Sequence, residues 1–273
     1  MRDWEEDTIV TGLPAPRRYR AMFLSDVHLG TRGCRAELLI DFLRHHEAGT
    51  IYLVGDIIDG WQLKSGWHWL QSHNDVAQKL LRQARKGARV LYIPGNHDEV
   101  LRDYCGIHLG GVEVVQTTTH LAADGRRYLV THGDDFDVMI RHGRWLSFLG
   151  GAAHGSALML NGASNRVRCL LGLPHASLSR WAKTKVKTAV NYISEFEAAL
   201  SEEARRHGMD GVICGHIHHA ANHTRYGVHY LNCGDWLESC TALVEHDDGR
   251  FEIIPWTHIR PTAMAAPAQP QAA

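Results

Sequence analysis

The chain has 273 residues, 44% of them hydrophobic and 22% charged, and a formal net charge of −1. This composition is typical of a globular protein, and the length allows one large α/β domain or two small ones. A net charge near zero gives no overall field that would attract nucleic acid, so nucleic acid is not an expected partner.

Short apolar runs alternate with helical patterns along the chain, which predicts an α/β fold. Strands are predicted at residues 19–24, 50–54, 89–93, 112–115, 128–131, 211–214, 228–232, 242–245 and 251–254. Amphipathic helices are predicted at 34–47 and 74–86, the second closed by Gly87. We expect a loose extension at 1–18, one domain at 19–261 and a disordered tail at 262–273.

Six short clusters of candidate metal ligands lie beside glycines or follow these strands. They are Asp26-Val-His28, Gly55-Asp56-Ile-Ile-Asp59, Gly95-Asn96-His97-Asp98, His132-Gly133-Asp134, Gly215-His216-Ile-His218 and Asn232-Cys-Gly234-Asp235. In open α/β sheets the loops after the strands converge on one site. Together the clusters contain enough ligands for two divalent ions, a clamp suited to displacement at phosphorus. Imidazoles with carboxylates and one amide favour Mn²⁺, with Fe or Zn²⁺ as alternatives, over Mg²⁺.

Residues 138–194 contain no Asp or Glu, and their composition differs from the rest of the chain. The segment combines basic residues with apolar stretches such as Trp145-Leu-Ser-Phe-Leu. We predict a basic, oily helical lid for a ligand that has both phosphates and hydrocarbon. The alternative is an ordinary helical insertion whose apolar face packs on the main domain and binds no ligand.

The order of the clusters resembles that of the calcineurin-like metallophosphoesterases, over about residues 20–256. The resemblance implies a four-layer α/β/β/α sandwich with a dinuclear metal centre. One metal would be bound by Asp26, His28, Asp56 and His218, and the other by Asp56, Asn96, His132 and His216. Asp56 would bridge the two ions. The implied reaction is attack on phosphorus by a hydroxide that the two metals share.

His97 is not needed as a metal ligand and is the candidate for protonating or stabilising the leaving oxygen. The resemblance implies that Asp59 orients its ring; alternatively, Asp59 only caps the following loop. Asp98 and Asp134 are predicted to hold metal-binding histidines from behind. Asp235 is expected to pack or cap near the site without binding metal.

Within this family the chain resembles in particular the UDP-2,3-diacylglucosamine diphosphatases of lipid A synthesis. The resemblance lies in the Ser25-Asp26-Val-His28-Leu-Gly30 start, the basic insertion and the Asn232-Cys-Gly-Asp-Trp236 end. It implies cleavage of a lipid-linked nucleotide to UMP and a lipid sugar 1-phosphate. The predicted substrate-binding residues are Asn96, Arg141, Ser179, Arg180, Lys183 and Lys187. The chain departs from the best-known members at His97, where they have arginine.

Two other functions are compatible with the sequence: a general soluble phosphodiesterase or nucleotidase of the same fold, and a non-catalytic binding protein. No apolar run approaches the roughly 20 residues of a membrane-spanning helix, and residues 1–19 lack the apolar core of a signal peptide. The six cysteines form no CxxC pair, which predicts reduced thiols. We therefore expect a cytoplasmic protein that associates peripherally with the inner membrane through its basic, oily lid.

Overall fold

The computed structural model describes residues 15–66, 68–136 and 178–259, with only the backbone for 178–189. Most of the extension predicted at 1–18, the tail predicted at 262–273 and the first part of the predicted lid lie outside these residues. The remaining part of the lid, from Leu178 onward, is helical, as the sequence predicts.

The described chain contains twelve strands and four α-helices. The strands are β1 Arg17–Leu24, β2 His46–Val54, β3 Arg89–Ile93, β4 His108–Leu109, β5 Val112–Val114, β6 Thr118–Leu121, β7 Arg127–Val130, β8 Gly211–Cys214, β9 Ala221–Arg225, β10 Val228–Asn232, β11 Thr241–Glu245 and β12 Phe251–Pro255. The helices are α1 Ala36–His45, α2 Gly60–Ser65, α3 Gln71–Arg85 and α4 Leu178–Arg206. Two 3₁₀ turns, Glu99–Tyr104 and Asp134–Phe136, lie in the connections.

The strands form two mixed sheets. The larger has the order β12-β11-β1-β2-β3-β5-β4, in which β1, β2, β3 and β5 are parallel. The smaller has the order β6-β7-β8-β10-β9, in which β7, β8 and β10 are parallel. The carboxyl ends of parallel neighbours lie at the same edge of a sheet, so the loops that follow them are close together.

Alternate residues of the central strands are buried on opposite faces, because side chains in a strand alternate in direction. In β1, Ala21 and Phe23 join a cluster that lies between the two sheets, whereas Met22 and Leu24 pack with α1 and α3. The outer face of the smaller sheet packs against α4. The layers are therefore helix, sheet, sheet and helix, which confirms the predicted four-layer architecture.

The structure corrects the predicted end of the first helix. Helix α1 ends at His45, and His46 begins β2, whereas the helical pattern predicted a helix to residue 47. Pairing with the start of β1 explains the difference, since Arg17 lies opposite His46 in the parallel ladder. The His46 ring also stacks on Phe42, with 4.3 Å between centroids. These contacts outweigh a helical preference that is only local.

Helix α3 begins at Gln71, three residues before the predicted start at residue 74. Four short elements were not predicted from the sequence. These are β4, β6, β9 and α2. Strands β6 and β9 are the two edges of the smaller sheet, and most of their residues are at least partly exposed. An exposed edge strand lacks the apolar run by which a central strand is recognised.

The fold predicts that the C-terminal half of α4 stabilises the domain. Leu200 is fully buried against the smaller sheet, so Leu200→Ala should lower the free energy of unfolding by about 2–5 kcal/mol. Val190 lies on the same helix with 58% of its surface exposed, and Val190→Ala is the matched control. Urea denaturation measures both. A loss for Leu200→Ala no larger than that of the control would contradict this packing.

Candidate active site

The loops after five strands bring the candidate ligands together. Asp26 and His28 follow β1, Asp56 follows β2, and Asn96 follows β3, all in the larger sheet. His132 follows β7, and the His216–His218 loop follows β8, in the smaller sheet. The site therefore lies where the strand ends of the two facing sheets meet. This convergence was predicted from the position of each cluster after a strand.

Five residues of these loops have a left-handed backbone although none of them is glycine. Their φ angles are 52° for Asp26 and His28, 54° for Asp56 and His218, and 71° for His216. Such a conformation costs roughly 1–3 kcal/mol per residue and persists only where surrounding contacts impose it. One such contact is the hydrogen bond from the Asp26 amide to the Gly55 carbonyl, at 3.1 Å. The concentration of strain in the candidate ligands indicates a functional site.

The first group consists of Asp26, His28 and His218, whose potential ligand atoms all lie within 4.8 Å of one another. The Nε2 atom of His218 is 3.1 Å from Asp26 Oδ1, and that of His28 is 3.9 Å from it. The other oxygen of Asp26 accepts hydrogen bonds from Ser25 Oγ and from the His216 amide. One carboxylate oxygen is thus held by the protein, and the other faces the imidazoles.

The second group consists of Asp56, His132 and His216, whose potential ligand atoms also lie within 4.8 Å of one another. His132 Nε2 is 3.3 Å from Asp56 Oδ2, which is also 4.0 Å from His28 Nε2 in the first group. Asp56 therefore lies between the two groups. The close approach requires Gly95, since a Cβ there would lie 2.3 Å from Asp56 Oδ1 and 2.6 Å from His132 Cδ2.

The buried polar atoms fit a pair of cations. Within the described residues, four of these atoms make no hydrogen bond of good geometry: Asp26 Oδ1, His28 Nε2, Asn96 Oδ1 and His132 Nε2. Two of them, Asp26 Oδ1 and His132 Nε2, lie beside other candidate ligands, at 3.1 and 3.3 Å. An unsatisfied buried polar atom costs about 1–3 kcal/mol, so several in one place need an explanation. All four are oxygen or nitrogen atoms of types that bind divalent metals, and they belong to the residues that the sequence predicted as ligands.

Asp59 contacts two histidines through one oxygen atom. Its Oδ2 lies 2.9 Å from His97 Nδ1 and 3.1 Å from His28 Nδ1. Its Oδ1 accepts a hydrogen bond from the Gln62 amide at 2.8 Å and caps α2. Asp59 therefore contacts the His97 ring and also caps the following helix, so it does not only cap the loop. The contact with His28 was not predicted, because nothing in the sequence relates a carboxylate to a histidine 31 positions earlier.

His97 lies at the exposed side of the site. Its backbone amide donates to Asp56 Oδ1 at 2.8 Å, which places the ring next to the second group. The exposed Trp61 covers the ring, with 4.1 Å between centroids and 35° between planes. The imidazole is therefore held by Asp59 at Nδ1 and by Trp61 at one face.

The charged groups of the site shift one another's pKa values. Burial alone would raise the pKa of the Asp56 carboxyl, but His132 and His97 hold it well below its usual range. Burial alone would lower the pKa of His132, but Asp56 and Asp26 raise it to about 10. Burial likewise opposes the charged form of His97, and Asp59 with Asp56 outweighs it and raises the pKa.

Asp98 and Asp134 were predicted to hold histidines, but in the described residues they bind other groups. Asp98 accepts hydrogen bonds from the backbone amides of Ile57 and Gly95, at 2.8 and 2.6 Å, and from the Tyr92 hydroxyl. It therefore ties the loop after β2 to the loop after β3. Asp134 is paired with Arg102 at 2.6 Å. The group behind His132 is instead the Val54 carbonyl, 2.9 Å from Nδ1.

The last cluster, at residues 232–235, stabilises the loops beside the site. The buried Asn232 donates to the Gly215 carbonyl at 2.8 Å and so holds the loop that carries the final two histidines. Asp235 accepts from the amides of Leu237 and Glu238, at 2.7 and 2.6 Å. This confirms the expectation that Asp235 caps a turn near the site. Asn232 was recognised only as a member of the cluster, without a specific role.

The predicted lid residues are only partly placed. Arg141 lies outside the described residues, and the side chains of Ser179, Arg180, Lys183 and Lys187 are not described, although their backbone belongs to α4. The same helix reaches the site further along. Phe196 packs beside His216, with 5.8 Å between ring centroids.

The facing strand ends present paired groups of carboxylates and imidazoles, an arrangement suited to a hydrolase with two divalent metal ions. The sequence model of the family described as calcineurin-like phosphoesterase matches residues 19–220. The match covers most of the chain, so the chain belongs to this family.

Relatives with a named activity align over most of their length. The chain is 24% identical over 253 residues to a UDP-2,3-diacylglucosamine hydrolase of Neisseria meningitidis serogroup B, covering 86% of this chain and 97% of the relative. It is 25% identical over 251 residues to the Porphyromonas gingivalis enzyme of that name, covering 81% and 91%. The Xanthomonas campestris pv. campestris enzyme is 27% identical over 242 residues, covering 84% and 96%.

Solved structures of phosphoesterases superimpose only loosely. The Yfce phosphoesterase of E. coli and an archaeal phosphodiesterase each give a TM-score of 0.40, with 14% and 13% identity. Each alignment covers 86% of this chain and 98% of the other. The family assignment rests on the sequence match and not on these superpositions.

His132 allows a test of the site's charge balance. In the metal-free protein it should be protonated at neutral pH, because a pKa of about 10 lies above the pH of the solution. Coordination requires a neutral imidazole, so metal loading should release this proton, and metal affinity should fall as the pH decreases. Calorimetric titration with Mn²⁺ in two buffers of different ionisation enthalpy measures the release. An observed enthalpy that is the same in both buffers would contradict this charge state.

Proposed function

We propose that the protein is a dinuclear phosphohydrolase that cleaves the pyrophosphate of UDP-2,3-diacylglucosamine, or of a related lipid-linked nucleotide, to UMP and a lipid sugar 1-phosphate. The observation that carries the chemistry is the meeting of two ligand groups at Asp56, beside buried polar atoms that make no hydrogen bond in the described part of the chain. The three named relatives support the substrate, since each aligns over more than nine-tenths of its own length.

One ion would be bound by Asp26, His28, Asp56 and His218, and the other by Asp56, Asn96, His132 and His216. The distances support Asp56 as the bridge, since its Oδ2 is within 4.0 Å of a histidine of each group. Bound divalent ions would neutralise charge on the phosphoryl oxygens and lower the pKa of an attacking water. Mn²⁺ suits the mixed set of imidazole, carboxylate and amide ligands, as do Fe and Zn²⁺.

Other side chains of this site orient the histidine rings, donate a proton and complete the metal ligands. Asp59 fixes the ring of His28 through Nδ1 and leaves Nε2 facing the first group. The same carboxylate holds His97 through Nδ1 and favours its protonated form, so that Nε2 can donate to the leaving oxygen. Asn96 lies beside His97, and its unpartnered amide oxygen supports a role as a ligand.

Recognition of the lipid is assigned to the segment at 138–194, with Arg141, Ser179, Arg180, Lys183 and Lys187 for the phosphates and the apolar stretches for the acyl chains. The approach of α4 to His216 supports a lid that lies against the reaction centre. We propose contact with the inner-membrane surface from the cytoplasmic side, through the basic and apolar residues of the lid. No helix in the described parts of the chain is long and apolar enough to cross a membrane.

A comparison of substrates tests this function. The Mn²⁺-loaded protein should hydrolyse UDP-2,3-diacylglucosamine with a kcat/KM several orders of magnitude above that for the deacylated UDP-sugar, since each buried CH₂ contributes about 0.8 kcal/mol. Mass spectrometry should identify UMP and the lipid sugar 1-phosphate. Equal rates on the two substrates would exclude the lipid substrate and leave a general phosphodiesterase or nucleotidase. A protein that binds no metal and hydrolyses neither substrate would be a binding protein.

Asp56→Asn should be the most damaging single change at the metal centre. The substitution weakens a ligand shared by both ions, so activity should fall on the order of 10³-fold or more. Elemental analysis should show fewer than two ions per chain. The exposed Asp103 provides the control, because Asp103→Asn makes the same chemical change outside the site. Near-normal turnover and metal content in Asp56→Asn would refute the bridging assignment.

His97→Ala should lower kcat by roughly 10²–10⁴-fold and leave the metal content unchanged, as expected for a proton donor. Asp59→Asn should behave differently, because Asp59 also orients His28. It should lower kcat and weaken metal binding together. Steady-state kinetics with elemental analysis distinguishes the two variants. Loss of an ion from His97→Ala would show that His97 is a ligand.

A further inference from the structure

We propose that the cleft between the loop after His28 and helix α2 binds the nucleoside monophosphate half of the substrate. This inference rests on the proposed function, because it assigns one half of that substrate to a place beside the same site. The cleft has a volume of about 520 Å³, within the usual range for sites of small molecules.

Both walls of the cleft begin at residues of the candidate active site. In the first wall, the Thr31 amide and hydroxyl donate to the His28 carbonyl, at 3.1 and 2.9 Å. In the second, the Gln62 amide donates to Asp59 at 2.8 Å. A nucleotide in the cleft would therefore have its phosphate end next to the first ligand group.

The lining of the cleft suits a polar ligand. Its side chains include Thr31, Arg32, Gln62, Ser65 and His68, and none of the described lining residues carries a carboxylate. Arg32 is exposed and forms no ion pair with any residue in the described ranges, so its guanidinium is available to an oxygen of the ribose or base, which inorganic phosphate lacks. The Gln62 side chain, which likewise makes no hydrogen bond there, offers a donor and an acceptor that match the amide edge of a pyrimidine.

The position of the cleft separates the two halves of the substrate. The cleft is lined by Gly30 and Gln62, which follow His28 and Asp59 by two and three residues, whereas α4, which carries the end of the predicted lid, approaches His216. A lipid on the α4 side and a nucleotide in the cleft would place the pyrophosphate between them. An acyl chain in the cleft is disfavoured, because the polar lining would lose hydrogen bonds to water without replacement.

Calorimetric binding to the Mn²⁺-loaded protein tests the assignment without relying on turnover. The probes are UMP and inorganic phosphate, since both can reach the metals but only UMP can fill the cleft. The wild type should bind UMP at least about tenfold more tightly than phosphate, the effect expected of a hydrogen bond to a charged group. The double change Arg32→Ala with Gln62→Ala should abolish this advantage and leave phosphate affinity within about twofold.

Lys64→Ala is the matched control, because it removes a positive charge from α2 at a residue that does not line the cleft. It should keep the advantage of UMP over phosphate. Equal binding of UMP and phosphate to the wild type, or an advantage that survives in the double variant, would overturn the assignment. Turnover of UDP-2,3-diacylglucosamine is measured separately. If the protein turns over this substrate but the double variant keeps the advantage of UMP, only the cleft assignment is refuted. If the double variant loses the advantage but the protein does not turn over the substrate, only the proposed function is refuted.

Discussion

Carboxylate oxygens and imidazole nitrogens face one another in a buried space at the ends of strands from both sheets. Burying these charges is costly unless they are paired with each other or with a cation. Asp26 and Asp56 offset part of the cost through the neighbouring imidazoles, which lower the pKa of each carboxyl. The buried polar atoms that remain without a hydrogen bond in the described residues fit a divalent ion. The loops, glycines and supporting hydrogen bonds all maintain this arrangement.

The strained loops persist because other buried groups hold them. Asp98 gathers amides of the loops after β2 and β3, and Asn232 fixes the carbonyl that precedes His216. Burial raises the pKa of the Asp98 carboxyl, which shows that the position is unfavourable for a charge. The amides and the Tyr92 hydroxyl that it binds compensate for that loss of solvation. The active-site geometry therefore depends on residues outside the two groups of candidate ligands.

The two sides of the site have different surroundings. On one side, Asp59 contacts both His28 and His97 and caps α2, so the candidate proton donor and one candidate metal ligand depend on a single carboxylate. On the other side, Phe196 brings α4 to His216. A substrate with a polar and an apolar half is compatible with this asymmetry. A small symmetric diester would make no use of it.

The sequence by itself determined the central strands of both sheets. It also placed each candidate ligand just after a strand. Strand periodicity and sharp turns at glycine are local properties, so they can be read from neighbouring residues. The edge strands β6 and β9 could not be read in this way, because their partly exposed residues carry no apolar run. The family resemblance, carried by the order of the clusters, added the division of the ligands between two ions and the four-layer architecture.

Tertiary structure alone decided which partner each polar group has. Asp98 was expected beside a histidine but binds the amide of Ile57, 41 positions away. Asp59 contacts His28 as well as His97, and His46 belongs to a strand because it pairs with Arg17. A carboxylate accepts equally well from an imidazole or from a backbone amide. The partner of a carboxylate depends on which distant segment of the chain lies within about 3 Å of it after folding, and no local pattern encodes that distance.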